Sequence, residues 1–531
     1  MENQIGSAAG GAFNAAGSLG LSEGTLYTLW IGIILYLAIL IGIGMWSSRK
    51  VKGMNDFLVA GRRLPLWMAT ATLLATWFGA GSSMGVAATV YDSGLGGVLA
   101  DPFGASLSLV IAGIFIVGLL RRLKCLTVTD IVERKYGKWA GVYTSLWMLP
   151  VYIGWLGAQL LGIGTILHVL TGMDPMHGTL IGAAVVLIYT FAGGMWAVTL
   201  TDVVQVSLIV LGLFLIVPGA VEEAGGWNFL AEHIPASDLS IGIAEGASAT
   251  FNDWIFYIGS WITMGLGCTV GQDLVQRSLA SRNEKIAVSS AVMSGFFYAA
   301  IGLVPITIGF AARFVLAKYG ITEQVMGGEA QLENQVLPRM AIIILGNLHP
   351  IVLTIFLAAL ISAIMSSADS SLLAGSSLLC NNVIGSIWPR LSDRKLLWFT
   401  RVATVLLTLI ALYFAFRVES IYVLMTSSWA SQLVVVFLPV VTALYLPKAT
   451  KNAAWAAMAV STAVWLAYTF ISASGSGMPF VELMNSELMS RALTCGAVYG
   501  FAAGVVAFAC CYFGERIPHW LLDQQNDEEY E

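Results

Sequence analysis

Long apolar runs recur along nearly the whole chain, and they constrain its fold more than any other feature. Only 11% of the 531 residues are charged, and the mean hydropathy is +0.80. An apolar run of 18 or more residues is long enough to cross about 30 Å of hydrocarbon as an α-helix. The runs do not show the two-residue alternation that marks a membrane barrel. The sequence therefore predicts an all-α integral membrane protein.

We count thirteen predicted membrane spans. They cover residues 26–47, 66–91, 97–120, 139–170, 178–194, 197–221, 252–270, 286–316, 340–382, 395–416, 420–446, 452–473 and 489–513. Because no soluble module interrupts this series, we expect a single membrane domain over residues 26–516. A flexible tail at 1–25, outside the cell or in the periplasm, and an acidic cytoplasmic tail at 517–531 complete the predicted organisation.

The basic residues are distributed unequally between the two sides of the predicted domain. Thirteen spans place 21 of the 26 Lys and Arg residues on the side of the C-terminus and five on the other side. Because Lys and Arg concentrate in cytoplasmic loops, we expect the N-terminus outside and the C-terminus in the cytoplasm. A plasma membrane or a bacterial inner membrane fits this multi-pass arrangement. The net charge of −5 gives no indication of a nucleic-acid partner.

Glycine and polar residues interrupt two of the spans. The span 66–91, named the first interrupted helix, contains Ala-Thr-Trp-Phe-Gly-Ala-Gly-Ser-Ser at 75–83. The span 252–270, named the second interrupted helix, continues into Gly-Leu-Gly-Cys-Thr-Val-Gly-Gln at 265–272. Unwound backbone at such points offers free carbonyl oxygens to a cation. The alternative is that these glycines only let neighbouring helices pack closely.

The two interruptions occupy corresponding positions, five spans apart. Paired interrupted helices indicate an inverted-repeat transporter whose binding site lies near the middle of the membrane. The core repeats would then cover approximately residues 66–221 and 252–446.

The span 340–382, named the serine-rich helix, carries a concentration of oxygen side chains. Its residues 365–371 read Met-Ser-Ser-Ala-Asp-Ser-Ser, and Ser366, Asp369 and Ser370 share one helix face. A carboxylate in hydrocarbon is costly unless it faces a cavity or binds something. Oxygen ligands suit a small hard cation, so this segment is a candidate ion site. Serine hydroxyls that bond back to their own backbone are the alternative, but this alternative leaves Asp369 unexplained.

Other polar residues within or beside the spans are further candidates. Asp202 is a second intramembrane acid, and with the serine-rich helix it fits either sodium sites or a proton relay. Asp101 is either a helix-start acid or a counter-charge for a cationic or hydroxyl-rich solute. Trp77 and Trp155 fit either plain packing or cation–π contact with a substituted ammonium group, and Gln159 lies one helical turn after Trp155.

The chain resembles the sodium:solute symporter family over approximately residues 26–516. The family signature is similar to Tyr-Thr-Phe-Ala-Gly-Gly-Met-Trp-Ala at 189–197, followed by Thr-Asp-Val-Val-Gln at 201–205. Within the family, the segments most similar to the high-affinity choline transporter branch are 75–77, 136–138 and 365–371.

This resemblance implies a LeuT-type fold with a 5+5 inverted repeat and thirteen transmembrane helices, in agreement with the span count. It also implies two sodium sites. The first site would be formed by backbone carbonyls of Ala75, Phe78 and Ala363 and the hydroxyls of Ser366 and Ser367. The second would be formed by Asp202, Asp369 and Ser370.

The resemblance also bears on the solute. Choline transporters of the family enclose the quaternary ammonium with several tryptophans, and Trp77 and Trp155 match two of those positions. Gly271 stands where another tryptophan is expected, and a further aromatic position aligns near Thr426, close to Trp429. The predicted substrate-binding residues are Trp77, Asp101, Trp155, Gln159, Gly271 and Gln272.

These observations predict a sodium-coupled secondary active symporter that imports a small polar organic solute by alternating access. An amine, a quaternary ammonium compound or a zwitterion fits the candidate residues, with sodium as the coupling ion and no other cofactor. A proton-coupled symporter of an organic acid or sugar and a substrate-sensing receptor on the same scaffold are the alternatives. A membrane enzyme is disfavoured because the sequence contains no nucleophile with a matching base.

Overall fold

The computed structural model describes most of the chain. The described residues are 23–243, 249–321, 335–346, 349–417, 421, 429–475, 477–478, 483 and 486–515. Nearly all of the predicted N-terminal tail, the whole predicted C-terminal tail at 517–531 and Thr426 lie outside them.

The described part of the chain is helical, as the apolar runs predict. The longer helices are Glu23–Ser47, Leu66–Trp77, Val86–Ser93, Ala105–Ala112, Lys138–Thr171, Pro175–Glu223, Phe251–Gly265, Gln272–Ala280, Glu284–Lys318, Val336–Leu345, Pro350–Ser377, Asp393–Ala415, Leu438–Tyr445, Lys451–Ser474 and Glu487–Gly514. Short helices occupy Met54–Val59, Gly118–Arg122, Asp130–Tyr136 and Trp227–His233. Ten helical stretches of the described chain are long and apolar enough to cross a membrane. The all-α membrane class is therefore confirmed, and the count of thirteen stays a prediction.

Two of the predicted spans lie in a single long helix, Pro175–Glu223. A straight helix of its 49 residues would be about 74 Å long, more than twice the thickness of the hydrocarbon layer. The chain breaks direction at Gly194, where φ is 52° and ψ is −143°. A Cβ atom on this residue would lie 2.6 Å from the ring of Phe57, so only glycine fits the break. The predicted spans 178–194 and 197–221 meet at this point.

The predicted span 340–382 is wrong as one continuous run. The structure divides it into Val336–Leu345 and the serine-rich helix, which is Pro350–Ser377. Pro350 takes the first helical position, and the His349 side chain accepts a hydrogen bond from the amide of Ile351. These capping residues start a new helix inside an apolar stretch whose periodicity alone predicts no break.

Both interrupted helices are broken where the sequence predicts. In the first, Leu66–Trp77 ends at Phe78, and the amide of Gly79 bonds to the carbonyl of Trp77 instead of that of Ala75. The second consists of Phe251–Gly265, a tight turn at Gly267–Val270, and Gln272–Ala280.

The serine-rich helix lies at the centre of the protein. It packs against Pro175–Glu223, Lys138–Thr171, Glu23–Ser47 and the first interrupted helix. Every residue from Ala359 to Ser377 is buried. Its hydroxyl and carboxylate groups therefore face other parts of the protein instead of lipid.

Candidate functional site

Five side chains with a formal charge are buried in the described part of the chain. They are Asp101, Asp202, Asp273, Arg277 and Asp369. When all five are ionised, the four carboxylates and one guanidinium leave an excess of three negative charges. Burying a charge costs several kcal/mol unless an opposite charge or hydrogen bonds compensate it. Bound cations would therefore lower the cost of burying this group of charges.

The serine-rich helix meets the interruption of the first interrupted helix. Ser367 Oγ donates a hydrogen bond to the carbonyl of Thr76 at 2.7 Å. Phe78 and Ala363 line one small cavity of about 210 Å³, together with Ser83, which the sequence did not predict. The interruption thus places Phe78, Ala363 and Ser367, three residues predicted for the first sodium site, in one region next to the carbonyl released at Ala75.

Ser366, the fifth residue predicted for that site, turns towards a different helix. Its hydroxyl donates to Asp202 Oδ1 at 2.5 Å, and Thr72 donates to the other oxygen of the same carboxylate. Asp202 belongs to the second predicted site. The two predicted ion sites therefore adjoin through Ser366.

Asp369 lies in a separate set of hydrogen bonds. Tyr189 donates from its hydroxyl to Asp369 Oδ2 at 2.7 Å, and Ser370 donates to Oδ1 at 3.1 Å. The tyrosine hydroxyl also contacts the carbonyl of Met365 at 3.2 Å. Asp369 and Ser370 are thus brought together.

Arg277 enters the second predicted site from the second interrupted helix. Its Nη2 donates to the hydroxyl of Ser370, and its Nε lies 4.0 Å from Asp202 Oδ2. The distribution of basic residues in the sequence predicts that Arg277 lies in a cytoplasmic loop, and this prediction is wrong because its side chain is buried in helix Gln272–Ala280. Removing one residue from the count leaves the asymmetry of basic residues intact.

A second cavity, named the tryptophan cavity, lies beside the two interruptions and measures about 340 Å³. Its lining combines three tryptophans, two acids and an amide with apolar side chains. The lining residues are Trp77, Asp101, Val151, Trp155, Met264, Cys268, Asp273, Trp429 and Gln432. Three of these, Trp77, Asp101 and Trp155, were predicted from the sequence.

Asp101 contributes a carboxylate to this cavity. Its backbone is not helical, with φ −136° and ψ 121°, and its side chain accepts hydrogen bonds from other side chains. Ser82 donates at 2.6 Å and Tyr298 at 2.7 Å. The Asp101 carboxylate thus bonds to two neutral hydroxyls, and both interpretations of this acid stay predictions.

Asp273 contributes the second carboxylate, which the sequence reasoning missed. Trp77 donates from Nε1 to Asp273 Oδ2 at 2.5 Å, and Tyr152 donates to Oδ1 at 2.9 Å. Its position just after the glycine break at 265–271 was the available signal. An acid there lies in the first turn of helix Gln272–Ala280.

Gln159 lies at the interruption and not among the lining residues of the tryptophan cavity. Its Oε1 accepts a hydrogen bond from the amide of Ala80 at 2.8 Å. A Cβ atom on Gly79 would lie 2.5 Å from the same oxygen. Gln159 therefore stabilises the broken backbone.

The remaining two predicted residues, Gly271 and Gln272, differ in position. A Cβ atom on Gly271 would lie 2.9 Å from Asp273 Oδ1, so this glycine lies beside the tryptophan cavity. Gln272 instead donates to Ser377 at 3.0 Å and accepts from the amide of Val128 at 2.8 Å. The structure does not bring Gln272 to the cavity.

Interrupted helices, a buried group of oxygen ligands and an enclosed cavity together define a multi-pass membrane transporter. The profile of the sodium:solute symporter family matches residues 57–461, about three quarters of the chain. The chain belongs to this family, whose members are transporters and not enzymes.

Similar proteins include high-affinity choline transporters. The Drosophila melanogaster protein is 30% identical over 77% of this chain and 65% of its own length. The human protein is 28% identical over 74% of this chain and 68% of its own length. A sodium/pantothenate symporter from Haemophilus influenzae is 26% identical over 72% of this chain and 78% of its own length. This chain thus spans about two thirds of the length of the Drosophila and human choline transporters.

Solved structures confirm the LeuT-type fold. A Na⁺-coupled sialic acid symporter in a substrate-bound outward-open state has a TM-score of 0.71 at 19% identity and covers 91% of this chain and 97% of its own. A nucleobase-cation-symport-1 family transporter in a closed conformation has a TM-score of 0.50 at 15% identity, over 85% of this chain and 94% of its own. At these identities the likeness shows the fold alone.

Proposed function

We propose that this protein imports a small organic cation together with sodium by alternating access. One observation carries the proposal: the ion ligands and the solute cavity share the interruption of the first interrupted helix. The carbonyl of Thr76 accepts from Ser367 of the serine-rich helix, and the next residue, Trp77, lines the tryptophan cavity. An ion bound at this point would fix the backbone that carries the solute-binding side chain.

The first sodium site in this proposal consists of Ala75, Phe78, Ala363, Ser366 and Ser367. All five supply oxygen, which is the ligand type that a small hard cation prefers. The carbonyl of Ala75 is released because the amide of Gly79 bonds elsewhere. Ser366 would turn from Asp202 to join the site, and this rearrangement would couple the ion to the neighbouring helix.

The second sodium site in this proposal consists of Asp202, Asp369 and Ser370. Arg277 already supplies one positive charge beside the two acids. When both acids are ionised, one negative charge remains, and one sodium ion would neutralise it. Two coupled sodium ions follow from the two sites together.

Coupling has a simple energetic basis in this arrangement. Sodium at the first site would bridge the first interrupted helix and the serine-rich helix, so ion and solute would stabilise the same state. Each positive charge that moves inward across about 100 mV supplies about 2.3 kcal/mol.

We place the protein in a plasma or bacterial inner membrane, with the N-terminus outside. In this proposal one transporter domain covers residues 26–516 and contains repeats at about 66–221 and 252–446.

The lining of the tryptophan cavity favours a cationic solute. Trp77, Trp155 and Trp429 line the cavity, and aromatic rings attract ammonium groups. The lining includes two carboxylates and, among the described residues, no Lys or Arg. An organic acid or an uncharged sugar would supply no positive charge to these carboxylates.

Uptake by purified protein in sealed vesicles tests this proposal. A sodium gradient should drive accumulation of an amine, and Trp77→Ala should weaken it at least about tenfold through the lost cation–π contact. Trp398→Ala is the matched control because Trp398 is 59% exposed and lies in helix Asp393–Ala415.

Two outcomes would contradict the proposal. Uptake that follows pH at fixed sodium but ignores sodium at fixed pH would favour the proton-coupled alternative. Sodium-driven uptake of carboxylates but of no amine would contradict the cationic solute.

A further inference from the structure

We propose that the solute is a dication, a short α,ω-diamine with N–H groups at both ends. Asp101 would bind one ammonium group, and Asp273 together with Gln432 would bind the other. This inference rests on the proposed function, in which the tryptophan cavity holds an organic cation, and narrows the class of that cation.

The tryptophan cavity is lined by two carboxylates and, among the described residues, by no Lys or Arg. The oxygens of Asp101 accept hydrogen bonds from Ser82 and Tyr298, and those of Asp273 from Trp77 and Tyr152. All four donors are neutral. Within the described residues, no Lys or Arg nitrogen lies within 4.0 Å of either carboxylate. Hydrogen bonds from neutral donors reduce the cost of burying a carboxylate but do not neutralise its charge. A positive partner at each ionised acid would reduce this cost further.

The nearest buried cation is directed elsewhere. Arg277 donates to the hydroxyl of Ser370 and approaches the carboxylate of Asp202. Its contact with Asp273 is to the main-chain carbonyl, at 3.2 Å, and not to the carboxylate. Within the described residues, Arg277 therefore forms no ion pair with either acid of the tryptophan cavity.

A third polar group in the tryptophan cavity has one oxygen without a hydrogen bond. Gln432 is 2% exposed, and its Oε1 accepts no hydrogen bond within the described part of the chain. It lies beside Asp273, because a Cβ atom on Gly271 would contact Gln432 Oε1 at 3.5 Å and Asp273 Oδ1 at 2.9 Å. An unsatisfied buried acceptor costs about 1–3 kcal/mol and is satisfied by an N–H donor. A primary ammonium supplies that donor, whereas a quaternary ammonium has no N–H.

The two acids are connected to different atoms of Trp77. Asp273 contacts the indole Nε1, whereas the Ser82 and Tyr298 hydroxyls that hold Asp101 both contact the main-chain carbonyl of Trp77. Two carboxylates carry two negative charges, and one ammonium group neutralises only one of them. A diamine supplies two positive charges, and its methylene chain would lie among the apolar and aromatic side chains of the lining.

Competition binding to the full-length purified protein at saturating sodium tests this class. The probes are butane-1,4-diamine, n-butylamine and choline. We expect the diamine to bind at least about tenfold more tightly than either monocation, because it adds a second charge-assisted contact. If n-butylamine or choline binds as tightly as the diamine, the dication proposal is overturned and the proposed function stands. Failure of every cation to bind in a sodium-dependent way overturns both.

Asp273→Asn provides the second readout. This variant keeps the shape of the side chain and removes its charge, so the affinity for the diamine should fall about tenfold. The affinity for n-butylamine should change less than about threefold, since Asp101 remains. An equal loss for both amines would overturn the assignment of Asp273 to the second ammonium.

Asp92→Asn, at an exposed position outside the cavity, is the matched control. Stabilisation of each variant by sodium without amine verifies folding, and the wild-type comparison decides the class if Asp273→Asn does not fold.

Discussion

Ser366 donates a hydrogen bond to Asp202, with 2.5 Å between Oγ and Oδ1. The next residue, Ser367, donates to the carbonyl of Thr76 in the first interrupted helix. Two consecutive serines thus connect the serine-rich helix to two different neighbours. An ion that takes either hydroxyl as a ligand must replace one of these contacts. The hydroxyl pair therefore provides a physical route from ion binding to helix position.

Replacement of Ser367 by alanine should weaken sodium binding about tenfold. The hydroxyl would be lost as a ligand, and a hydrogen bond to a charged group contributes about 1.5–3 kcal/mol. Sodium titration of the thermal unfolding midpoint measures the change. Ser371→Ala is the control, because Ser371 is buried one turn further on and its hydroxyl bonds to the Ser367 carbonyl at 2.8 Å. Equal losses in both variants would show that the effect is helix packing and not ion ligation.

Neutralising Asp369 should reduce the number of coupled sodium ions from two to one. Asp202 and Asp369 together carry two negative charges, and Arg277 neutralises one of them. Asp369→Asn removes the remaining negative charge, which would bind the second sodium ion. The sodium dependence of uptake should become less steep, and a charge-to-solute ratio measured in vesicles should fall by one. If this variant transports with unchanged sodium steepness and stoichiometry, the second site is not at Asp369.

Arg277→Gln should destabilise the protein by about 3–5 kcal/mol, because it leaves buried acids without their positive partner. Arg282→Gln is the matched control, since Arg282 is exposed and should change stability by no more than about 0.5 kcal/mol. Sodium should restore more stability to Arg277→Gln than to the wild type, because the ion would supply the missing charge. Thermal unfolding with and without sodium measures both effects. Equal stability of the two variants would contradict the proposed electrostatic role of Arg277.

Gly79→Ala should disrupt the shared interruption. The added Cβ would lie 2.4 Å from Ser367 Oγ and 2.5 Å from Gln159 Oε1, closer than such atoms approach. We expect the affinities for sodium and for the amine to fall together by at least about tenfold. A tenfold loss of affinity corresponds to about 1.4 kcal/mol, and overpacking at this position costs at least that much. Gly42→Ala is the control because its Cβ would meet nothing within 4 Å. Loss of amine affinity with unchanged sodium affinity would show that the two sites do not share this segment.

The sequence predicted the elements of the site better than the contacts between them. Glycine breaks and hydroxyls in apolar runs are local signals, so both interruptions and the serine-rich helix could be found from them. The bond between Trp77 and Asp273 joins residues 196 positions apart, and no periodicity indicates it. Adjacent helical residues point about 100° apart, which is why the prediction of Gln272 missed Asp273 by one position. Arg277 resembled a loop residue because basic residues usually mark cytoplasmic loops.

Arg313 and Asp238 form an ion pair that shares no residue with the candidate ion sites. Arg313 also donates to the carbonyl of Tyr91 at 2.6 Å and to that of Val90 at 2.9 Å. The amide of Leu95 donates to the Asp238 carbonyl at 2.8 Å. The pair therefore ties the segment around Asp238 to the end of the first interrupted helix.

This ion pair should make the stability of the folded protein depend on pH. The hydrogen bond from Arg313 holds the pKa of the Asp238 carboxyl below its ordinary value. A carboxyl with a lowered pKa in the folded state stabilises the protein above its unfolded pKa, near 4, and loses this effect as the pH falls further. Asp238→Asn should therefore lower the unfolding temperature at about pH 7 and converge with the wild type towards about pH 3. Glu222→Gln, at an exposed position outside the pair, is the control. A difference between Asp238→Asn and wild type that stays constant with pH would assign the effect to packing and not to the charge.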